Sequence, residues 1–245
     1  MKSDSGKHYN LTMLFLIVVS IFGLVLSLFF VVYPSKLEDD FKFRKLTVGS
    51  AFGAVCVLGI FAALFPSSCS AIPNFKKRSR YKQSNPTMHE TTLRAHHPSC
   101  ADYSTHILCI GNRKFCATCS GLLVGATAVL IGTGLYFFGN LGIGESFLLV
   151  SVGTCAVIFG LLQSALPKLS NGFTRFFANV IFVVGCFLML VGIDQTAKNT
   201  SIGLFFVALS VLWILTKIAF SQLDHQRICS QCSTESCGQD KKRMR

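Results

Sequence analysis

Three features predict the fold class: six long apolar runs, sparse and mostly basic charges lying between those runs, and a knot of histidines and cysteines just ahead of the third run. The class is an all-α membrane protein, with six transmembrane helices and a small cytoplasmic zinc-binding-like module. Of 245 residues, 51% are hydrophobic and 14% charged, and the mean hydropathy is +0.54. Soluble domains carry roughly 25% charged residues, so composition alone places the chain in the membrane class. The marked bias is Phe, at 23 residues, which favours lipid contact. The net charge of +12 suits a membrane topology signal better than a nucleic-acid surface. No nucleic-acid motif is present, and no specific nucleic acid is expected as a partner.

The runs, each long enough or nearly so for a bilayer that needs about 20 residues, are taken in order. The first is Leu11 to Tyr33. It is too long for the apolar stretch of a signal peptide, and no small-residue cleavage site follows, so it is expected to remain as a helix. The second is Leu46 to Phe65, with Gly49 and Gly53 forming a GxxxG pair. The third is Ala117 to Phe138, with Gly121, Gly125, Ala128 and Gly132 expected on one packing stripe. Small stripes let helix backbones approach closely in lipid. On that basis Gly121→Leu should disturb packing far more than Gly139→Leu, which is placed in a loop. The fourth run is about Ile143 to Leu166, the fifth Phe173 to Ile193 and the sixth Ile202 to Phe220. Glu145, Arg175, Asp194 and Lys217 read as lying at run ends. Gln163 and Asn179 are then the main interior polar groups. Ion-coupled transporters usually need buried charge, and its apparent scarcity argues against that class.

With the N-terminus inside, inner segments carry 18 Lys and Arg and outer segments carry 5, namely Lys36, Lys42, Arg44, Lys45 and Lys198. That bias predicts a multi-pass protein of the cell membrane with both termini cytoplasmic. The main determinant is KKRSRYK at 76–82. The organisation follows: an N-terminal transmembrane hairpin over 1–73, a basic flexible linker over 74–95, a Cys/His metal-binding module over 96–119, a four-helix transmembrane bundle over 120–221 and a cytoplasmic Cys-rich basic tail over 222–245.

Of the 11 cysteines, Cys56, Cys155 and Cys186 fall inside apolar runs, where a thiol acts as a small hydrophobe. Seven others, Cys100, Cys109, Cys116, Cys119, Cys229, Cys232 and Cys237, cluster in polar segments beside histidines. On the predicted topology they are cytoplasmic and reduced, so metal binding or redox chemistry is expected over structural disulfides. In FCATCSG, Cys116 and Cys119 can both reach one tetrahedral zinc. His97, Cys100, His106 and Cys109 are near, and the spacing H-x2-C-x5-H-x9-C-x2-C admits a Cys3His site of Cys100, Cys116, Cys119 and one histidine. His97 and His106 compete for the fourth place, with His106 slightly favoured and His96 still open. The tail offers a second set, His225, Cys229, Cys232 and Cys237. Alternatively, Cys229 and Cys232 join Cys116 and Cys119 in one four-cysteine clamp. Two separate sites leave fewer thiols unused. The metal expected is zinc, in a structural role. Acids near the module are limited to Glu90 and Asp102, and no HExxH, Walker loop or GxSxG is present, so no catalytic residue is assigned.

The run HHPSC…GNRKFCATCSGLLVGA resembles a family of polytopic prokaryotic membrane proteins of unknown function. Its hallmark is a His- and Cys-bearing segment followed by C-x-x-C-[ST]-G-x-x-x-G at the start of a transmembrane helix. The matching positions are His97, Cys100, Cys116, Cys119, Gly121 and Gly125, and the resemblance covers about residues 96–220. It implies a membrane protein with a metal module and brings no activity. The first two helices and the tail look like additions.

The function expected is therefore that of a non-catalytic scaffold, sensor or partner-binding membrane protein. Its partners are the lipid bilayer and either a cytoplasmic protein or a second copy of the chain. One rival is a thiol–disulfide oxidoreductase using the Cys116–Cys119 pair, whose thiolates a helix N-terminus would favour. The other is a transporter of an uncharged or lipid-like solute, with a polar cavity around Gln163 and Asn179.

Overall fold

The computed structural model describes residues 4–33, 40–64, 107–110, 113–139, 141–142, 144–165 and 171–231. Six helices in it are long and apolar enough to cross a membrane. They are α1 (Asp4–Val32), α2 (Phe41–Leu64), α3 (Ala117–Thr133, continued by a π-helical turn over Gly134–Phe138), α4 (Ser146–Ala165), α5 (Gly172–Ala197) and α6 (Thr200–Gln231). A hairpin of β1 (Ile107–Ile110) and β2 (Arg113–Cys116) precedes α3. Its strands are antiparallel, with Ile107 opposite Cys116 and Leu108 opposite Phe115.

The side-chain contacts fix an up-and-down bundle. Ser20 of α1 meets Thr216 of α6, and Phe30 meets Phe206, so these two helices are antiparallel. Gly49 of α2 faces Phe137 and Gly53 faces Leu130, which sets α2 antiparallel to α3. Gly121, Gly125 and Gly132 lie against Phe176, Val180 and Phe187, so α3 and α5 run parallel. The starts of α1, α3 and α5 therefore share one end of the bundle with the ends of α2, α4 and α6. We call this the hairpin end and the other the distal end.

Helix α5 is the centre. Within its spanning window 67% of residues are buried, against 22% for α1 and 28% for α2. The outer helices present Leu, Ile, Val and Phe outward, among them Leu14, Phe22, Phe61, Phe147 and Leu162. In water such a surface would be an aggregation liability, whereas in a bilayer it is the solvated face. The core between helices holds Trp213, Phe182, Phe206, Met189 and Leu190. Helices α4 and α5 cross most closely where small residues meet. A Cβ on Gly153 would lie 2.7 Å from the Gly185 carbonyl oxygen, and one on Gly185 would lie 2.9 Å from that of Gly153.

Several expectations need correction. Helix α2 begins at Phe41 rather than Leu46, so Arg44 and Lys45 are buried span residues and not loop charges. Asp194, Arg175 and Lys217 are likewise buried inside the bundle rather than displayed at its ends. Interior charge is thus not scarce, and it does not count against an ion-coupled transporter. Ala128 is exposed; the packed face of α3 runs through Gly121, Gly125, Ala126, Val129 and Thr133. Gly139 closes the π turn, and a Cβ there would lie 2.7 Å from the Leu135 carbonyl oxygen, so it is no neutral control. The module boundary at 119 cuts into α3, which starts at Ala117. Helix α6 continues to Gln231, well past the apolar run and into the segment assigned to the tail. The hairpin adds strand to a chain otherwise expected to be helical.

Candidate functional site

At the hairpin end, β2 runs without a break into α3. Cys116 is both the last residue of β2 and the N-cap of α3, in extended backbone with φ −70° and ψ 117°. Its thiol does not cap the helix. Cys119 lies in the first helical turn, and both side chains are half-buried. Between them Ala117 is fully buried, and two residues further Gly121 packs against the backbone of Phe176 in α5. Strand β1 also lies against α5. The Cys116–Cys119 pair is therefore fixed to the central helix by its neighbours. A CxxC held across a strand-to-helix corner, with helix N–H groups at hand, is a fitting half-site for a tetrahedral thiophilic metal.

The structure places the other sequence-predicted ligands unevenly. His97, Cys100, His106, Cys232 and Cys237 lie outside the described residues. His225 and Cys229 belong to the final turns of α6, four residues apart and so one turn apart on its backbone. Among the described residues no group of three or more His, Cys, Asp or Glu side chains could hold a metal ion.

The distal end holds a second polar constellation, which sequence reasoning missed. Arg44 Nε lies 3.0 Å from Asp194 Oδ1, an ion pair with both side chains 5% exposed or less. Its geometry departs from a linear hydrogen bond. The Tyr136 hydroxyl donates to Asp194 Oδ2 at 2.9 Å. Lys45 Nζ donates to the Tyr136 carbonyl at 3.1 Å and sits 3.7 Å from the centre of the Tyr136 ring. The π turn makes this possible. In it Gly139 N–H reaches back to the Gly134 carbonyl, and Leu141 N–H to that of Leu135. Lys45 takes up the Tyr136 carbonyl, capping the negative end of α3 with a cation. The two buried distal cations thus each have a partner: Arg44 has a carboxylate, and Lys45 has a helix terminus and an aromatic face. The signal was present in FKFRKL, but a basic pair beside an apolar run reads as a loop.

The α5–α6 connection is equally tight. Lys198 takes φ +47°, closing α5 in the left-handed conformation. Asn199 then caps α6, its Oδ1 accepting from Ser201 N–H at 3.0 Å and from Ile202 N–H at 3.3 Å.

Fold and sites together define a multi-pass membrane protein with a cysteine-bearing corner at one end and a buried ionic cluster at the other. Comparison with protein-family models, curated proteins and solved structures returns no match.

Proposed function

We propose that this is a cell-membrane protein with cytoplasmic termini whose hairpin-end corner binds structural zinc, and that it acts as a non-catalytic scaffold, sensor or partner-binding protein. One observation carries the reading. Cys116 and Cys119 bracket the strand-to-helix corner and are held there by buried Ala117 and by Gly121 against α5. A metal on this pair would tie the preceding segment, with Cys100 and His97 or His106, directly to the central helix. Acids that could act as a general base are few in the adjoining sequence, which favours a closed, structural site.

The helical extension of α6 supports two separate sites over one shared clamp. Ser210 faces Cys186, and Gly121 faces Asn179, so Lys217, Asn179 and Gly121 share one level. At a rise of about 1.5 Å per residue, Cys116 lies about 7 Å beyond that level and Cys229 about 18 Å beyond it. That separation of about 10 Å disfavours Cys229 as a co-ligand of Cys116, since thiolates on one zinc each sit about 2.3 Å from it.

The test is metal content by elemental mass spectrometry on protein purified in detergent without chelators. About two zinc per chain supports two sites, and about one supports a lone corner site or a clamp. No metal would sink the zinc reading. It would turn the argument toward thiol exchange, which the N-cap position of Cys116 favours by stabilising a thiolate.

A further inference from the structure

Cys109 belongs to neither ligand set that sequence spacing suggests, yet it lies on β1, directly ahead of the Cys116–Cys119 corner. The strand pairing places Cys109 opposite Lys114 and Ile107 opposite Cys116. Successive residues of a strand alternate between its faces. By register, Ile107, Cys109, Lys114 and Cys116 therefore share one face of the hairpin, and Leu108, Ile110, Arg113 and Phe115 share the other. Leu108 and Phe115 face each other across the strands and are both half-buried. The two faces thus differ in chemistry: one carries an apolar pair, the other two cysteines and a lysine.

Only two residues separate β1 from β2. In so short a hairpin the pair next to the loop, Ile110 and Arg113, is a hydrogen-bonded one. Pair types alternate, so Cys109–Lys114 and Ile107–Cys116 are both of the other kind, in which facing residues stand closer. Cys109 and Cys116 are diagonal neighbours across these two pairs. Such a diagonal spans about 7–8 Å, and less between Cβ atoms. The right-handed twist of the strands shortens this one, which joins the residue nearer the loop on β1 to the residue farther from it on β2. Thiolates on one zinc each sit about 2.3 Å from it, so a metal lying over the diagonal is within reach of both positions. Cys119 follows in the first turn of α3. Lys114 on the same face and the N-terminus of α3 both favour thiolate over thiol. No preformed group of three ligands is present among the described residues, so the metal itself draws the thiols together as it binds.

We propose that Cys109 is a ligand of the corner zinc, whose shell is then Cys109, Cys116, Cys119 and one residue of the segment before β1. The inference rests on the structural-zinc reading and deepens it. Zinc so held locks both strands of the hairpin onto the start of α3, rather than only tethering the chain ahead of them.

The test begins with wild-type, full-length protein purified in detergent with zinc. Its thiols are alkylated before and after treatment with a chelator, using reagents of different isotopic mass, and each cysteine is read by peptide mass spectrometry. Cys109, Cys116 and Cys119 should be protected together and released together at one chelator concentration. If Cys109 reacts freely while Cys116 and Cys119 stay protected, or if its protection survives the chelator, the proposal is overturned and structural zinc stands. If Cys116 and Cys119 show no protection that the chelator removes, the zinc reading fails and this inference fails with it. In zinc counted per chain, Cys109→Ser should lose the same single ion as Cys116→Ser. Where it retains the ion, it should do so at least about tenfold more weakly, the loss that removal of even an outer partner of a metal ligand causes. Equal zinc and equal resistance to chelator in wild type and Cys109→Ser overturn the proposal. If Cys109→Ser does not fold, the wild-type alkylation pattern decides.

Discussion

Asp194 is the one carboxylate among the described residues that sits inside a spanning helix window, and it holds together groups from three helices. Breaking a buried ion pair by removing one member typically costs more than the pair itself is worth, because the other charge is left unpaired. Asp194→Asn should therefore destabilise the protein by about 3–5 kcal/mol, read as a lowered unfolding temperature in micelles. Tyr136→Phe removes a single hydrogen bond to a charged group and should cost less, about 1.5–3 kcal/mol. If both substitutions were neutral, the distal cluster would not be a structural clamp. At the other end, Cys116→Ser and Cys119→Ser should each lose bound metal and unfold at lower temperature. Normal metal content and melting in both variants would refute structural zinc.

Helices pack here by letting backbones touch. Gly121→Leu drives a side chain into the Phe176 backbone, an overpacking usually worth about 1–3 kcal/mol or more. Gly59, on the exposed face of α2 with nothing within 4 Å of an added Cβ, is the fitting control in place of Gly139. Gly121→Leu should lower thermal stability and Gly59→Leu should not, so equal shifts would remove the packing argument. The spans were legible in the sequence because apolar length is a direct reading of bilayer thickness. The third run, Ala117 to Phe138, matches α3 and its π turn to the residue. The helix ends were less legible. Arg44 and Lys45 interrupt hydropathy yet continue α2, because Asp194 and Tyr136, 150 and 91 residues away in the chain, receive them. Polar residues after Ser221 also end the apolar run, but they form helix readily and α6 continues. The α4–α5 seam had a signal not used. Gly153 and Gly160 are seven apart, as are Gly185 and Gly192, and all four are buried at that crossing.

For the whole molecule, setting aside buried span charges removes Arg44 and Lys45 from the 5 and Arg175 and Lys217 from the 18, leaving 3 Lys and Arg (Lys36, Lys42 and Lys198) against 16. That sharpens the basic bias toward the hairpin end, since buried span charges do not count as loop charges. A fluorescent protein fused to the C-terminus should then light up in the cytoplasm, and a periplasm-dependent phosphatase fused after Asn199 should be active. The reverse pattern would invert the topology and place the cysteines on the oxidising side. The candidate site was legible only in part. The Cys116–Cys119 spacing is visible in the sequence, while the Arg44–Asp194–Tyr136 cluster is assembled from three helices and has no local spacing to reveal it.

The π turn has a consequence for what this chain can tolerate. Such a turn is one residue longer than the α-helix it interrupts. Deleting a single residue within Gly134–Phe138 would let α3 relax to ordinary helix, which by itself is the more comfortable backbone. It would also rotate Tyr136 within the turn itself, while the chain beyond stays near its register, because the residue removed is the one the wider turn had taken up. A Tyr136 so rotated would turn its hydroxyl from the carboxylate and its ring from the ammonium. A gain in local regularity would thus dismantle the distal lock, making the irregular turn a gauge that sets how three distant segments mesh.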